Sequence, residues 1–292
     1  MKSMLKKFLL VLLAFACTIP AFSQEKFLKR KVAIGRFTNE TQYGKGVFYD
    51  RENDPMRKQA LDLLSAKLAA SEKFILLERE DLDKLVAESG ESMKKIGADY
   101  IILGSITQFG RKVEGEQKVF SNTKTQTVEA GVSIRLVDAS TGLIIYSDEA
   151  KGYAETSSKQ TLGLGGTAGF DATLSDKAIS AALNQLVENI INKCMDKPWK
   201  GYVLSAEDGT YIISGGKSQG IEPNAKFYLY KKGKIVNNPQ TGMSVELPGT
   251  KLGEFTVLSS VGDTPETEIS FCSYSGPEFD LKNLMDYYIM EK

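Results

Sequence analysis

Four sets of residues in this 292-residue chain have chemistry to offer: the carboxylates, three cysteines, a glycine-rich run, and one loop in which aromatic and amide side chains collect. Histidine is absent. Ser-His-Asp and Cys-His nucleophile systems and His-dependent metal motifs are thereby excluded. The 37 Asp and Glu residues are scattered, with no spacing that sets two of them up for acid–base work. The run from Leu162 to Phe170 holds Gly163, Gly165, Gly166 and Gly169, but no Lys-Ser/Thr pair follows and no dinucleotide fingerprint fits, so it reads as a flexible loop. No catalytic residue, metal ligand or cofactor is assigned, and the chain is not expected to be an enzyme.

The loop is a different matter. Thr38 to Asp54 shows neither helical nor strand periodicity and carries Tyr43, Phe48, Tyr49 and Asn53. Structureless stretches this long inside compact domains tend to be functional or disordered. Its aromatic residues point to contact with a partner or, equally, to Phe48 and Tyr49 folding back onto the core.

Lys2, Lys6 and Lys7, the apolar run Phe8 to Ala16 and the small residues before Gln24 have the order of a secretory signal peptide, residues 1–23. The run is shorter than the ~20 residues of a spanning helix. Lipidation at Cys17 is a second reading, but Ala14-Phe15-Ala16 is a poor match to the leucine-rich pattern it requires. Removing 1–23 takes three lysines and no acid from a chain of 37 basic and 37 acidic residues, so the mature surface is nearly neutral and nucleic acid is not an expected partner. Cys194 and Cys272 are too few for a disulfide framework and are expected as buried free thiols.

These features need elements to hold them. Lys31 to Phe37 alternates as a first strand, and Asp54-Pro55 supplies an N-cap and a proline at the first helical position for a helix carrying Met56, Ala60, Leu61, Leu64 and Leu68 on one face. Phe74–Leu77 is a short strand. A second helix through Leu82, Leu85 and Val86 and a turn through Met93 and Ile96 follow. Tyr100–Leu103, bounded by glycines and without a polar face, is expected as a central strand covered on both sides. Val128 to Leu136 and Leu143 to Tyr146 form a hairpin about the Asp138–Gly142 turn. The intervals Ser105–Thr127 and Lys151–Thr173 are longer and more polar than simple connections require. Thr173 and Asp176 fit a capping box for a long helix whose stripe runs from Ile179 to Ile191. Beyond Trp199, short strands separated by Gly, Pro and Asn turns read as a small all-β barrel or sandwich, closed by a tail helix through Leu281, Leu284, Met285 and Tyr288. The expected division is 28–197, 199–276 and a 277–292 tail.

Val32-Ala33-Ile34 with Phe37 and Asn39-Glu40-Thr41, Leu64–Leu68 into Phe74–Leu77 and Glu78-Arg79, Gly97 to Ile106, and Val132 to Gly142 together resemble the CsgG family of curli secretion channels. The resemblance implies a periplasmic α/β (α+β) domain with an anticodon-binding-domain-like sheet and covering helices. It also implies a homo-oligomeric ring, outer-membrane association, an envelope or secreted protein partner, and a pore-narrowing loop that here would be Thr38–Asp54, with Tyr43, Phe48, Tyr49 and Asn53 as candidates. The family's barrel hairpins would fall at Ser105–Thr127 and Lys151–Thr173. There Arg111, Lys112, Glu114, Glu116 and Lys118 occupy both faces, and each lipid-facing charge costs about 2 to 4 kcal/mol. A complete barrel is not expected. Gly215-Gly216, Gly220-Ile221, Phe227–Tyr230, Asn238–Gly242 and Leu252-Gly253 resemble the C-terminal module of flagellar T-ring proteins, which implies an interaction module. A soluble periplasmic adaptor that binds an envelope partner through this β-domain is the alternative function.

Overall fold

The computed structural model describes residues 27–43, 45, 54–79, 97–118, 121–161, 171, 173–240, 242 and 244–292. The signal segment, the helix expected through Leu82 with its following turn, and the glycine-rich run lie outside the described residues.

Two sheets each carry their own core. The first has the order β2–β1–β3–β4–β5, with β1 at Arg30–Asn39, β2 at Phe74–Leu77, β3 at Tyr100–Lys118, β4 at Ser121–Asp138 and β5 at Ile144–Thr161. β1 runs parallel to β2 and β3, whereas β3, β4 and β5 form an antiparallel ribbon. Parallel neighbours need a crossover, and helix α1 (Pro55–Ala70) provides the one between β1 and β2. As the sequence predicts, Asp54 caps α1 by accepting from Arg57 N, and Pro55 opens it.

Helix α2 (Thr173–Met195) begins differently. Its cap is Asp171, whose Oδ1 accepts from both the amide (3.0 Å) and the hydroxyl (2.7 Å) of Thr173. Thr173 is therefore already helical, and the expected Thr173–Asp176 box is replaced by a carboxylate two residues upstream. The stripe itself is as read: Leu174, Ile179, Leu183, Leu186 and Ile190 are fully buried. α1 and α2 pack on the same face of the sheet, joined to each other by Lys67 Nζ donating to Asn184 Oδ1 at 2.6 Å. Gly152 of β5 lets α2 approach this closely, since a Cβ there would lie 2.0 Å from the Ala178 carbonyl oxygen.

The strand Tyr100–Leu103 departs from expectation. Tyr100 and Ile102 are buried under the helices, but Ile101 and Leu103 are only half-buried on the opposite face, against Gly35. Among the described residues, both helices lie on one side of the sheet, so the uninterrupted apolar run marks one covered and one partly open face. Gly104 is needed because the Phe37 ring lies over it, 2.3 Å from where a Cβ would stand.

The second sheet has seven strands in the order β6–β14–β9–β12–β13–β8–β7. These are β6 (Lys200–Gly201), β7 (Val203–Glu207), β8 (Thr210–Ser214), β9 (Lys226–Lys231), β12 (Thr250–Val261), β13 (Ile269–Ser275) and β14 (Tyr287–Glu291). Its edge strands β6 and β7 are separated in sequence only by Tyr202, whose carbonyl accepts from Ser214 N and whose amide donates to Ser214 Oγ. The sheet thus curls into a nearly closed barrel around Trp199, Ile213, Phe227, Leu229 and Phe255. β10 (Ile235–Asn237) and β11 (Ser244–Glu246) form a separate exposed hairpin between β9 and β12. The expected tail helix is not present. Tyr287 and Ile289 point inward and Tyr288 and Met290 outward, and β14 inserts between β6 and β9. Cross-strand pairing of a Tyr-Tyr-Ile segment outweighs a helical spacing whose other members, Leu281 and Met285, are exposed.

The two cores meet at Arg30. Its guanidinium donates to the carbonyls of Leu28 and Lys197 and pairs with Glu291 at 2.9 Å, while Glu291 also accepts from Trp199 N. Leu28, two residues before Arg30, packs in the barrel core.

Candidate functional site

The loop that follows β1 starts at a compact polar cluster. Asn39, Thr41 and Asp54 are all buried. Asn39 Oδ1 accepts from the Thr41 amide (3.0 Å) and hydroxyl (2.7 Å), and Asn39 Nδ2 donates to Asp54 Oδ2 at 2.8 Å. Because Asp54 Oδ1 caps α1 at the same time, one carboxylate ties together the end of β1, the far end of the loop and the start of the helix. Lys45 Nζ adds a bond to the Asn39 carbonyl. Buried polar groups satisfied in this way hold a single geometry.

A second attachment lies on β3. The Tyr43 ring sits 4.6 Å from that of Phe109, and the Arg111 guanidinium lies 4.8 Å from the Tyr43 ring centre. Arg111 Nη2 donates to Ser175 Oγ in the first turn of α2 at 2.8 Å, and Gln126 Oε1 accepts from Asp171 N beside it. Tyr43 is thus the one pore-loop candidate whose surroundings are described, and it packs against the ribbon while remaining 37% exposed. Phe48, Tyr49 and Asn53 lie outside the described residues. Sequence reasoning did not single out Phe109, Arg111 or Ser175 for this role. No local sequence signal was available, because a bulge between Ile106 and Gln108 moves the odd-numbered residues of β3 onto the helix face.

The loop base, the first turns of both helices and the ribbon therefore meet at one end of the sheet. From there the ribbon continues beyond the helices. Strands of 18 and 19 residues span about 60 Å. The last seven positions of β3, from Lys112 on, extend about 24 Å past the Arg111–Ser175 contact. Lys112, Glu114 and Glu116 share one face opposite Thr127, Thr125 and Thr123, while Val113 and Gly115 face the other way. Arg111 lies on the opposite face, toward Ser175, so charge occupies both faces of β3 as the sequence reading expects. Val113, 51% exposed, is the lone large apolar residue among the described side chains of this extension. Among the described side chains, neither face has the apolar alternation a lipid-facing strand needs.

The two described thiols, Cys194 and Cys272, are buried and poorly placed to act as nucleophiles. Burial pushes both Cys194 and Cys272 up to about 12, and both are free. Among the described residues no group of three or more Cys, Asp or Glu side chains is placed to hold a metal.

The family model for the curli production assembly/transport component CsgG matches residues 21–224, more than two thirds of the chain. The chain belongs to the CsgG family. A candidate lipoprotein of Neisseria meningitidis serogroup B is 32% identical over 179 residues, which cover 59% of this chain and 80% of that protein. Among solved structures, lipoprotein GNA1162 from Neisseria meningitidis shares 13% identity, with 57% of this chain and 99% of that one covered at a TM-score of 0.28. A PelC dodecamer from Paraburkholderia phytofirmans shares 14%, with 55% and 90% covered at 0.27. The CsgG match takes in the whole first sheet and the ribbon and stops before β9, so most of the barrel lies outside it. No described helix is long and apolar enough to cross a membrane, which leaves crossing by strands untouched.

Proposed function

We propose that this CsgG-family chain is an exported, non-enzymatic envelope protein that acts in curli-type secretion or assembly, as a subunit of an oligomeric ring at the periplasmic side of the outer membrane. The observation that carries this reading is the convergence at one end of the sheet. The loop after β1 is fixed there by the Asn39–Asp54 cluster and by Tyr43 on Phe109 and Arg111, at the root of a long ribbon in which, among the described residues, the outer edge of β5 and the part of β3 beyond its β1 pairing carry no further strand. Arranged around an axis, such subunits present the Thr38–Asp54 loop toward the opening, with Tyr43, Phe48, Tyr49 and Asn53 as the residues that narrow it. The barrel, whose sequence resembles the flagellar T-ring module, serves as an interaction module beyond residue 199.

A second reading is favoured by the polarity of the ribbon's outer third: a soluble periplasmic adaptor that binds an envelope partner through the barrel. Cell fractionation followed by sedimentation of the detergent-extracted protein separates the two. A ring predicts a large particle that needs detergent for release; release with the soluble periplasm as a monomer supports the adaptor and rules out the ring. If the loop lines an opening, Phe48→Ala together with Tyr49→Ala alters export or leakage, and unchanged export removes that role.

A further inference from the structure

Strand alternation in the barrel puts Phe227, Leu229, Tyr287 and Ile289 inside and sends Tyr228, Tyr230, Tyr288 and Met290 to the outer surface. Tyr230 and Tyr288 are cross-strand partners, with ring centres 5.4 Å apart and planes within 7° of each other. Tyr228 stands two residues along β9, about 7 Å further. Lysines attend these rings. Lys251 Nζ lies 3.1 Å from the centre of Tyr228, with Lys292 5.6 Å from the same ring, and Lys200 Nζ lies 5.0 Å from Tyr288.

Lys226 and Lys292 both engage Glu254, whereas the Lys200 and Lys251 ammonium groups lie over tyrosine rings. Four ammonium groups thus share this face with Glu254, and Glu246 from the β10–β11 hairpin acts on Tyr288 at its border. The chain as a whole carries equal numbers of basic and acidic residues, so this is a local concentration of positive charge. Each ammonium held over a ring keeps its charge at the surface in a fixed place. The rings are half-buried and held by their strands, so little order remains to be imposed when a ligand arrives.

We propose that this face binds an acidic polysaccharide strand, with sugar rings resting on Tyr228, Tyr230 and Tyr288 and carboxylates meeting Lys200 and Lys251. Half-buried rings, two of them stacked on each other, offer no wedge for insertion into a bilayer. The choice of polymer rests on the proposed export of the chain, which brings it to acidic glycans rather than to nucleic acids. This inference does not depend on ring formation.

The test is co-sedimentation of the full mature chain with purified insoluble cell-wall sacculi at low and high salt. Affinity electrophoresis through soluble polygalacturonate separates a cell-wall source from another acidic glycan. Binding to at least one of the two is expected. Lys200→Gln with Lys251→Gln, two exposed changes that leave the fold intact, should lower the bound fraction at least fivefold, and 0.5 M salt should do the same. Tyr228→Ser with Tyr288→Ser should match that loss, with circular dichroism checking the fold. Lys112→Gln with Lys124→Gln on the distant ribbon should leave binding unchanged. Failure to bind both glycans, binding insensitive to the lysine pair, or preferential retention on a single-stranded oligothymidylate or on anionic phospholipid vesicles overturns the proposal.

Discussion

Asp54 is the most consequential side chain at the base of the loop, and removing it should show how much that base contributes. Asp54→Ala deletes the cap on Arg57 N, a loss of about 1 kcal/mol. It also leaves the buried Asn39 amide without its 2.8 Å acceptor, which adds about 1 to 3 kcal/mol. The expected destabilisation is therefore about 2 to 4 kcal/mol, read as a lower urea midpoint at unchanged m-value. Asp54→Asn keeps one oxygen, which can serve Arg57 or Asn39 but not both, so roughly half of that loss is expected. An Asp54→Ala protein within about 0.5 kcal/mol of the parent would show that the cluster is not the anchor described above. Equal effects from both variants would show that the carboxylate acts through its charge rather than through its two separate bonds.

Two further outcomes follow from the fold. Gly152→Ala should lower stability by more than about 3 kcal/mol in thermal or urea unfolding, because the added carbon meets helix backbone at Ala178 and Ala182 rather than a side chain able to move; a loss under 1 kcal/mol would mean the helix can shift. Burial pushes Asp138 upward, but hydrogen bonds from Ser140 and Lys197 outweigh it and hold the carboxyl at about 2. A folded value below the unfolded 3.8 contributes stability that is present above about pH 4 and lost as pH falls toward 2. Asp138→Asn should therefore flatten stability between pH 4.5 and 2.5, and an unaltered acid slope would contradict the assignment.

The parts of the fold legible in the sequence were those in which one local rule acts alone. Asp54-Pro55 and the stripe of α2 followed from capping and periodicity, and the Val128–Leu136 hairpin from alternation across an Asp-Gly-containing turn. The tail was misread because Leu281, Leu284, Met285 and Tyr288 satisfy helical spacing while Tyr287 to Glu291 also satisfies strand alternation, and only the open position between β6 and β9 decides. In β13, Ile269–Ser275, serines dilute the apolar signal in the sequence, although Ser270 and Cys272 are fully buried. At the site, the loop and its candidates came from lack of periodicity and from family resemblance. The Tyr43–Phe109–Arg111–Ser175 contacts bring together residues from three elements, and the bulge that aims Arg111 leaves no mark in the local composition.

The Arg30–Glu291 pair joins the first strand of the structure to its last, 261 residues apart. Synthesis delivers Arg30 long before the carboxylate that completes its pocket, and β14 cannot enter the barrel until Tyr287–Glu291 is available. Native structure at the junction therefore reports that the first and the last strand have both been placed. Loss of Tyr287–Glu291 would leave a buried guanidinium without its counter-charge and a barrel without a strand, so one short segment couples the integrity of both cores.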